Sequence, residues 1–204
     1  MIYYLSAIIL RQSEHKLPFR PAFVFLDLLW IIPALLIYFG GISSENGLGV
    51  LLLSILFGIV CIADFKFQII PNNLLVIYSI LGIFLAIIPH QPSFFDSILG
   101  GIFGFVLFLG IEWIGSIVFR KPAMGGGDIK LAAVLGLFVG WQGIFITLFI
   151  GAILGLLYVS VAKMLVVGKK IRTIPFGSFL VFSSIITYWV GDAILDYYIN
   201  GLLL

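Results

Sequence analysis

Charge is what this sequence has least of. Of its 204 residues, 11 are Lys or Arg and 9 are Asp or Glu, 10% together; a soluble domain carries about 25%. Hydrophobic residues make up 62%, which excludes a soluble core and requires a polytopic membrane protein. Cysteine is nearly absent. Cys61 stands alone in an apolar run, which excludes an internal disulfide and a cysteine-built metal cage. The two histidines, His15 and His90, fall in separate polar breaks and form no ligand cluster. No basic patch suggests nucleic acid as a partner. The N-terminus lacks a basic region followed by a small-residue cleavage site, so no removable signal peptide is expected. No stretch is long or polar enough for a second domain. The expectation is one all-α transmembrane bundle over residues 1–204, with the lipid bilayer as its surroundings.

What is present is a series of apolar runs: 22–42, 48–63, 72–89, 95–119, 129–140, 143–162 and 175–199. Residues 2–10 form a shorter one, so seven or eight membrane segments are expected. All eleven basic residues lie in or beside alternate breaks: Arg11, Lys16 and Arg20; Lys66; Arg120, Lys121 and Lys130; Lys163, Lys169, Lys170 and Arg172. The intervening breaks hold Glu45, His90 and nearby Asp96. If each run spans once, the positive-inside rule makes the basic side cytoplasmic. Residues 131–162 carry no formal charge. One straight crossing there would separate its basic flanks. Two crossings, turning at Gly140-Trp141-Gln142-Gly143, keep both flanks inside, with a first crossing of about 18 Å.

Two carboxylates stand out against this background. Asp64 lies in Ala63-Asp64-Phe65-Lys66-Phe67-Gln68-Ile69-Ile70-Pro71-Asn72, and Asp128 in Met124-Gly125-Gly126-Gly127-Asp128-Ile129-Lys130-Leu131. Ionising a carboxylate away from water costs several kcal/mol. The topology puts both on one face at similar depth. Gly125, Gly126 and Gly127 permit backbone angles barred to other residues and let a backbone approach closely. Pro71 is expected to open a helix, with Asn72 and Asn73 at its start, leaving Asp64 on a short constrained loop. Two carboxylates close together in a partly dry site share one proton. One member can then take a proton from water while the other donates to a carbonyl, with no metal or covalent intermediate.

Asp64-x5-Ile70-Pro71-Asn72, followed by Met124-Gly125-Gly126-Gly127-Asp128-Ile129-Lys130-Leu131 and later by Ile174-Pro175-Phe176-Gly177-Ser178-Phe179, resembles the type IV prepilin peptidase family of GxGD membrane aspartic proteases. The resemblance runs from about residue 48 to 185. It implies cleavage of prepilin or pseudopilin precursors, with a basic leader ending in Gly before an apolar helix, at the cytoplasmic membrane face. Asp64 and Asp128 match the catalytic pair, and Lys130 matches the lysine after the second aspartate. There are departures. Many bacterial members carry an insertion with two Cys-x-x-Cys pairs and N-methylate the new terminus using S-adenosylmethionine. Here the corresponding place is the cysteine-free stretch 11–20. The expectation is proteolysis without a cofactor, no zinc, and no methyl transfer. Ser178 stands where a proline is common.

Other residues have simpler readings. Lys66, Lys121 and Lys130 serve as topology anchors or tune the site. Glu112 and Asp27 lie inside apolar runs and are expected to be hydrogen-bonded structural groups. Two other classes remain open on residues alone. A small transporter would use Asp27 and Glu112 as a proton relay, and a non-catalytic assembly subunit would need neither terminal aspartate.

Overall fold

The computed structural model describes residues 44–88, 92–165 and 175–202. The expectations for 2–10 and 22–42, for Asp27, His15, His90 and the 11–20 stretch, and for Lys169, Lys170 and Arg172 lie outside them. The same holds for the side chains of Glu45 and Lys66. Among the described residues all regular structure is α-helical: α1 Ser44–Phe67, α2 Asn72–Ile87, α3 Phe94–Phe119, α4 Gly126–Leu165 and α5 Phe176–Leu202.

Three of these, α1, α3 and α4, contain stretches long and apolar enough to cross a membrane, and α2 and α5 add shorter apolar ones. Their outer faces stay apolar. Ile80 on α2, Val118 on α3 and Met164 on α4 are all exposed, which water would oppose and lipid does not. The chain is a multi-pass membrane protein.

Helix α4 is two arms, not one rod. Gly140 breaks it with φ 73 and ψ 176, a conformation open essentially to glycine alone. A straight helix would hold Asp128 and Gly155 about 40 Å apart. Both instead reach the start of α5. Asp128 Oδ1 lies 3.1 Å from the position a Cβ on Gly177 would take, and a Cβ on Gly155 would lie 3.8 Å from the Phe176 and Phe179 rings. The arms therefore run in opposite directions, and the turn falls where the uncharged stretch required one.

Small residues let the helices close on one another. On α3, Gly100 and Gly104 face Gly136 and Ala132 of the first arm, so near that a side chain at Gly100 or Gly136 would strike the opposite backbone. This is the small-xxx-small packing of membrane helices, in which close backbone approach replaces the missing hydrophobic drive. The second arm pairs antiparallel with α5 through a polar seam: Thr147 Oγ1 donates to Thr187 Oγ1 at 3.1 Å, and Ser183 Oγ to the Thr147 carbonyl at 2.8 Å. Helix α1 also lies antiparallel to α5, with the Phe57 and Phe182 rings 5.5 Å apart and tilted at 45°. Tyr78 of α2 meets Phe138 of the first arm at 6.3 Å. Leu53, Leu56, Leu131, Leu135 and Leu180 are fully buried where these helices meet.

Candidate active site

Asp64 is not on a loop, as the sequence reading expected. It sits in the last turn of α1, which continues to Phe67. The Gln68 N–H donates to the Asp64 carbonyl at 3.1 Å, and Gln68 itself is left-handed, φ 54, which ends the helix there. No glycine marks this stop, so the polar residues from 64 onward misled the boundary. Only 7% of Asp64 is exposed.

A carboxylate near a helix C-terminus faces the unfavourable end of the helix dipole. The compensation comes from α5. The backbone N–H of Ser178, in the first turn of α5, donates to Asp64 Oδ2 at 3.1 Å. First-turn amides have no partner within their own helix, so an acid placed there supplies one. Asp128 lies in the first turn of α4, where the dipole favours an acid. Its N–H donates to the Gly125 carbonyl at 3.0 Å.

The two acids meet over Gly177. A Cβ built there would lie 3.1 Å from Asp128 Oδ1, 3.1 Å from Asp64 Oδ2 and 2.9 Å from Ile70 Cδ1. The two carboxylate oxygens thus stand no farther apart than the sum of the first two distances. Ile70 forms the apolar wall and also approaches Gly127, where a Cβ would come within 3.2 Å of its own.

The glycine run uses none of the unusual angles it permits. Among the described residues Gly140 is the one glycine with positive φ; Gly125, Gly126 and Gly127 need no unusual angles. Gly127 instead gives room to Ile70. Gly125 borders Asp128, whose Oδ2 would lie 3.4 Å from a Cβ there, and Gly126 has open space. Pro71 is the cap of α2 rather than its first residue, which is Asn72. Lys130 Nζ donates to Asn72 Oδ1 at 3.0 Å. Two positions along a helix turn a side chain by about 200°, so this pair stands on the opposite side of α4 from Asp128. With Ser79, Gly101, Phe105 and Leu137 it lines a separate cavity of about 640 Å³ between α2, α3 and α4.

Glu112 is a structural group, although it bonds to a loop rather than between helices. Its Oε2 accepts from the N–H groups of Ala123 and Met124. Lys121 is exposed on the same loop. Gly177 and Ser178 were not among the site residues singled out from sequence. Their signal was the Pro175-Phe176-Gly177 tripeptide, whose use appears only once α5 is seen to begin at the two acids.

The model of the type IV leader peptidase family matches residues 51–160, a stretch that holds both aspartates. The chain belongs to this family. It is 33% identical over 160 residues to a Bacillus subtilis protein named prepilin leader peptidase/N-methyltransferase, covering 78% of this chain and 62% of that one. It is 28% identical over 137 residues to a Stutzerimonas stutzeri protein of the same name, covering 67% and 47%. An Escherichia coli type 4 prepilin-like proteins leader peptide-processing enzyme is 35% identical over 95 residues, covering 47% and 34%. The chain spans about half the length of the curated relatives it matches. No solved structure matches it. The family match ends before α5 and so does not itself cover Gly177 and Ser178.

Proposed function

We propose that this chain is a membrane aspartic endopeptidase that removes the basic leader from type IV prepilin or pseudopilin precursors. The observation that carries the reading is the convergence of Asp64 and Asp128 over Gly177. Two acids in contact with one water share a proton. The ionised member removes a proton from that water, and the hydroxide equivalent adds to the scissile carbonyl carbon. The protonated member donates to the carbonyl oxygen. The tetrahedral intermediate then collapses, the C–N bond breaks, and the amine leaves with a proton from the dyad.

The reading extends to one transmembrane peptidase domain over residues 1–204, with seven or eight segments in the inner membrane. The segregated basic residues favour a site at the cytoplasmic face. Gly125, Gly126, Gly127 and Pro71 border the approaches to the dyad, whereas Asn72 and Lys130, expected to shape the site, line the separate cavity on the other side of α4. The transporter alternative loses support, because Glu112 is committed to two loop amides rather than free to relay protons.

The test is cleavage by purified protein of a peptide with a Gly-terminated basic leader before an apolar helix. Failure to cut it in lipid or detergent, with the protein folded, counts against the reading. The same reaction with S-adenosylmethionine tests the cofactor proposal. We expect the product to keep a free amine, and a methylated N-terminus by mass spectrometry would overturn that part alone.

A further inference from the structure

We propose that the cavity between α2, α3 and the first arm of α4 is a binding site for one anionic phospholipid, with its phosphate at Lys130 and Asn72 and an acyl chain in the slot beyond them. The inference stands apart from the proposed function, and its test needs no cleavage.

The shape comes from the helices. On α4 the lining residues are Lys130, Ala133, Val134 and Leu137, a spacing of three and four that keeps them on one face. Helix α2 lines the cavity with the same spacing from Asn72 to Ser79. Both stripes run about 10 Å along their helices, so the cavity of about 640 Å³ is a slot parallel to the helix axes. Membrane helices stand about 20° from the bilayer normal, the direction in which lipid chains lie. Lining residues Val76 of α2 and Ile102 and Val106 of α3 are exposed, so a chain enters sideways from the bilayer.

The two ends of the slot differ in chemistry. Asn72, Ser79 and Lys130 are its only polar lining side chains. Ser79 lies at the far end, and its hydroxyl donates to the Leu75 carbonyl of its own helix at 2.8 Å. That end needs no polar partner and suits hydrocarbon. At the other end Lys130 Nζ donates to Asn72 Oδ1 at 3.0 Å. The bond uses one of three ammonium N–H donors, and the Asn72 amide adds two more. No acid lines the cavity to neutralise the lysine. Asn72 opens α2, and Lys130 follows the first turn of α4. The free donors therefore stand at the membrane boundary, where phosphates lie, and the slot runs from them into the hydrocarbon.

A lipid fits better than the apolar helix of a precursor. Lys130 stands on the opposite side of α4 from Asp128, so a segment in the slot does not lead to the acids. On the proposed function a precursor also brings a basic leader to this boundary, and Lys130 repels it. A headgroup with net negative charge meets the opposite field.

The purified protein is titrated in neutral detergent with phosphatidylglycerol and, separately, with phosphatidylcholine of the same acyl chains. Native mass spectrometry counts the lipid retained. We expect one phosphatidylglycerol to be held about fivefold more tightly than phosphatidylcholine, the contribution of one lysine to an anionic lipid. Lys130→Gln should remove that preference. Lys121→Gln, exposed and outside the cavity lining, should keep it. Ser79→Phe puts a ring in the slot and should weaken both lipids by about tenfold, the loss of about two buried CH₂ groups.

Equal retention of the two lipids by wild type, or a preference that survives Lys130→Gln, overturns the proposal. An equal loss in Lys121→Gln identifies general surface charge and overturns it too. Unchanged retention in Ser79→Phe takes the chain out of the slot and has the same effect. If that variant does not fold, Val76→Trp at the rim decides in its place. Displacement of the lipid by a peptide with a Gly-terminated basic leader before an apolar helix gives the slot to the precursor and overturns the lipid assignment. None of these outcomes bears on the dyad, which Asp64→Asn and Asp128→Asn test separately.

Discussion

Glu112 and Met124 are joined by a hydrogen bond of 2.6 Å, carboxylate to backbone N–H, and the Ala123 N–H adds a second at 2.9 Å. Gly115, one turn beyond Glu112, lets the same loop lie flat, with the Ala123 methyl filling its missing side chain. The acid inside α3 therefore holds the segment that delivers Asp128 to the first turn of α4. Glu112→Ala should release it. We expect a lower melting temperature and a fall in cleavage of about tenfold, since two amides lose a charged acceptor. Glu112→Gln keeps an acceptor and should recover most of both. Wild-type melting and turnover in Glu112→Ala would refute this role.

Asp64→Asn and Asp128→Asn should each abolish cleavage while leaving the bundle folded, because Asn keeps the shape of the acid. Groups that act as a unit are strongly non-additive, so the double variant should be little worse than either single one. The pH profile of the wild type should be bell-shaped and report the pair. Single-turnover rates decide the matter. General acid–base groups contribute about 10²–10⁴-fold, so more than about a hundredth of the wild-type rate in either single variant counts against catalysis.

Gly177→Ala is a sharper probe than it looks. The added methyl would press on both acids and on Ile70, separating the carboxylates or displacing α5. Alanine is a better helix former than glycine, so the fold has no local reason to weaken. We expect cleavage to fall by more than about tenfold with melting nearly unchanged. Gly155→Ala is the control, because its methyl meets two rings at an ordinary 3.8 Å, and it should remain active. Equal activity in the two variants would mean that the acids do not work through this point.

The topology proposal is tested by cysteine accessibility in a Cys61→Ala background. Single cysteines at Arg20, Lys66, Lys121 and Lys170 should resist an impermeant reagent added outside intact cells, and those at Glu45 and His90 should react. External labelling at 66 or 121 would put the dyad on the wrong face for a leader that has not crossed the membrane.

Much of this was legible in the sequence, and the reasons are physical. Two acids in so apolar a chain are costly to keep, which makes Asp64 and Asp128 stand out. The turn at Gly140 was legible because charge and length forbade a single crossing. Helix ends were less legible. The sequence points to a loop at Asp64 because α1 stops at a left-handed Gln68, with no glycine to announce it. Three consecutive glycines suggested unusual angles at 125–127, yet the angle was needed at Gly140, while Gly127 served a contact with Ile70. Ser178 was invisible as a site residue. Its contact with Asp64 is made by an amide hydrogen, which every residue but proline possesses, across 114 positions.

The short first arm of α4 has a mechanical consequence. From Gly126 to Gly140 it rises about 22 Å, while the hydrocarbon core of a bilayer is about 30 Å thick. Helix α3 beside it, with 26 residues, is about 39 Å long. Such a mismatch is relieved by thinning the lipid around the short element. Thinning of that kind would bring water to Asp128. On the proposed function, cleavage should then depend on bilayer thickness, which assays in lipids of different acyl length would check.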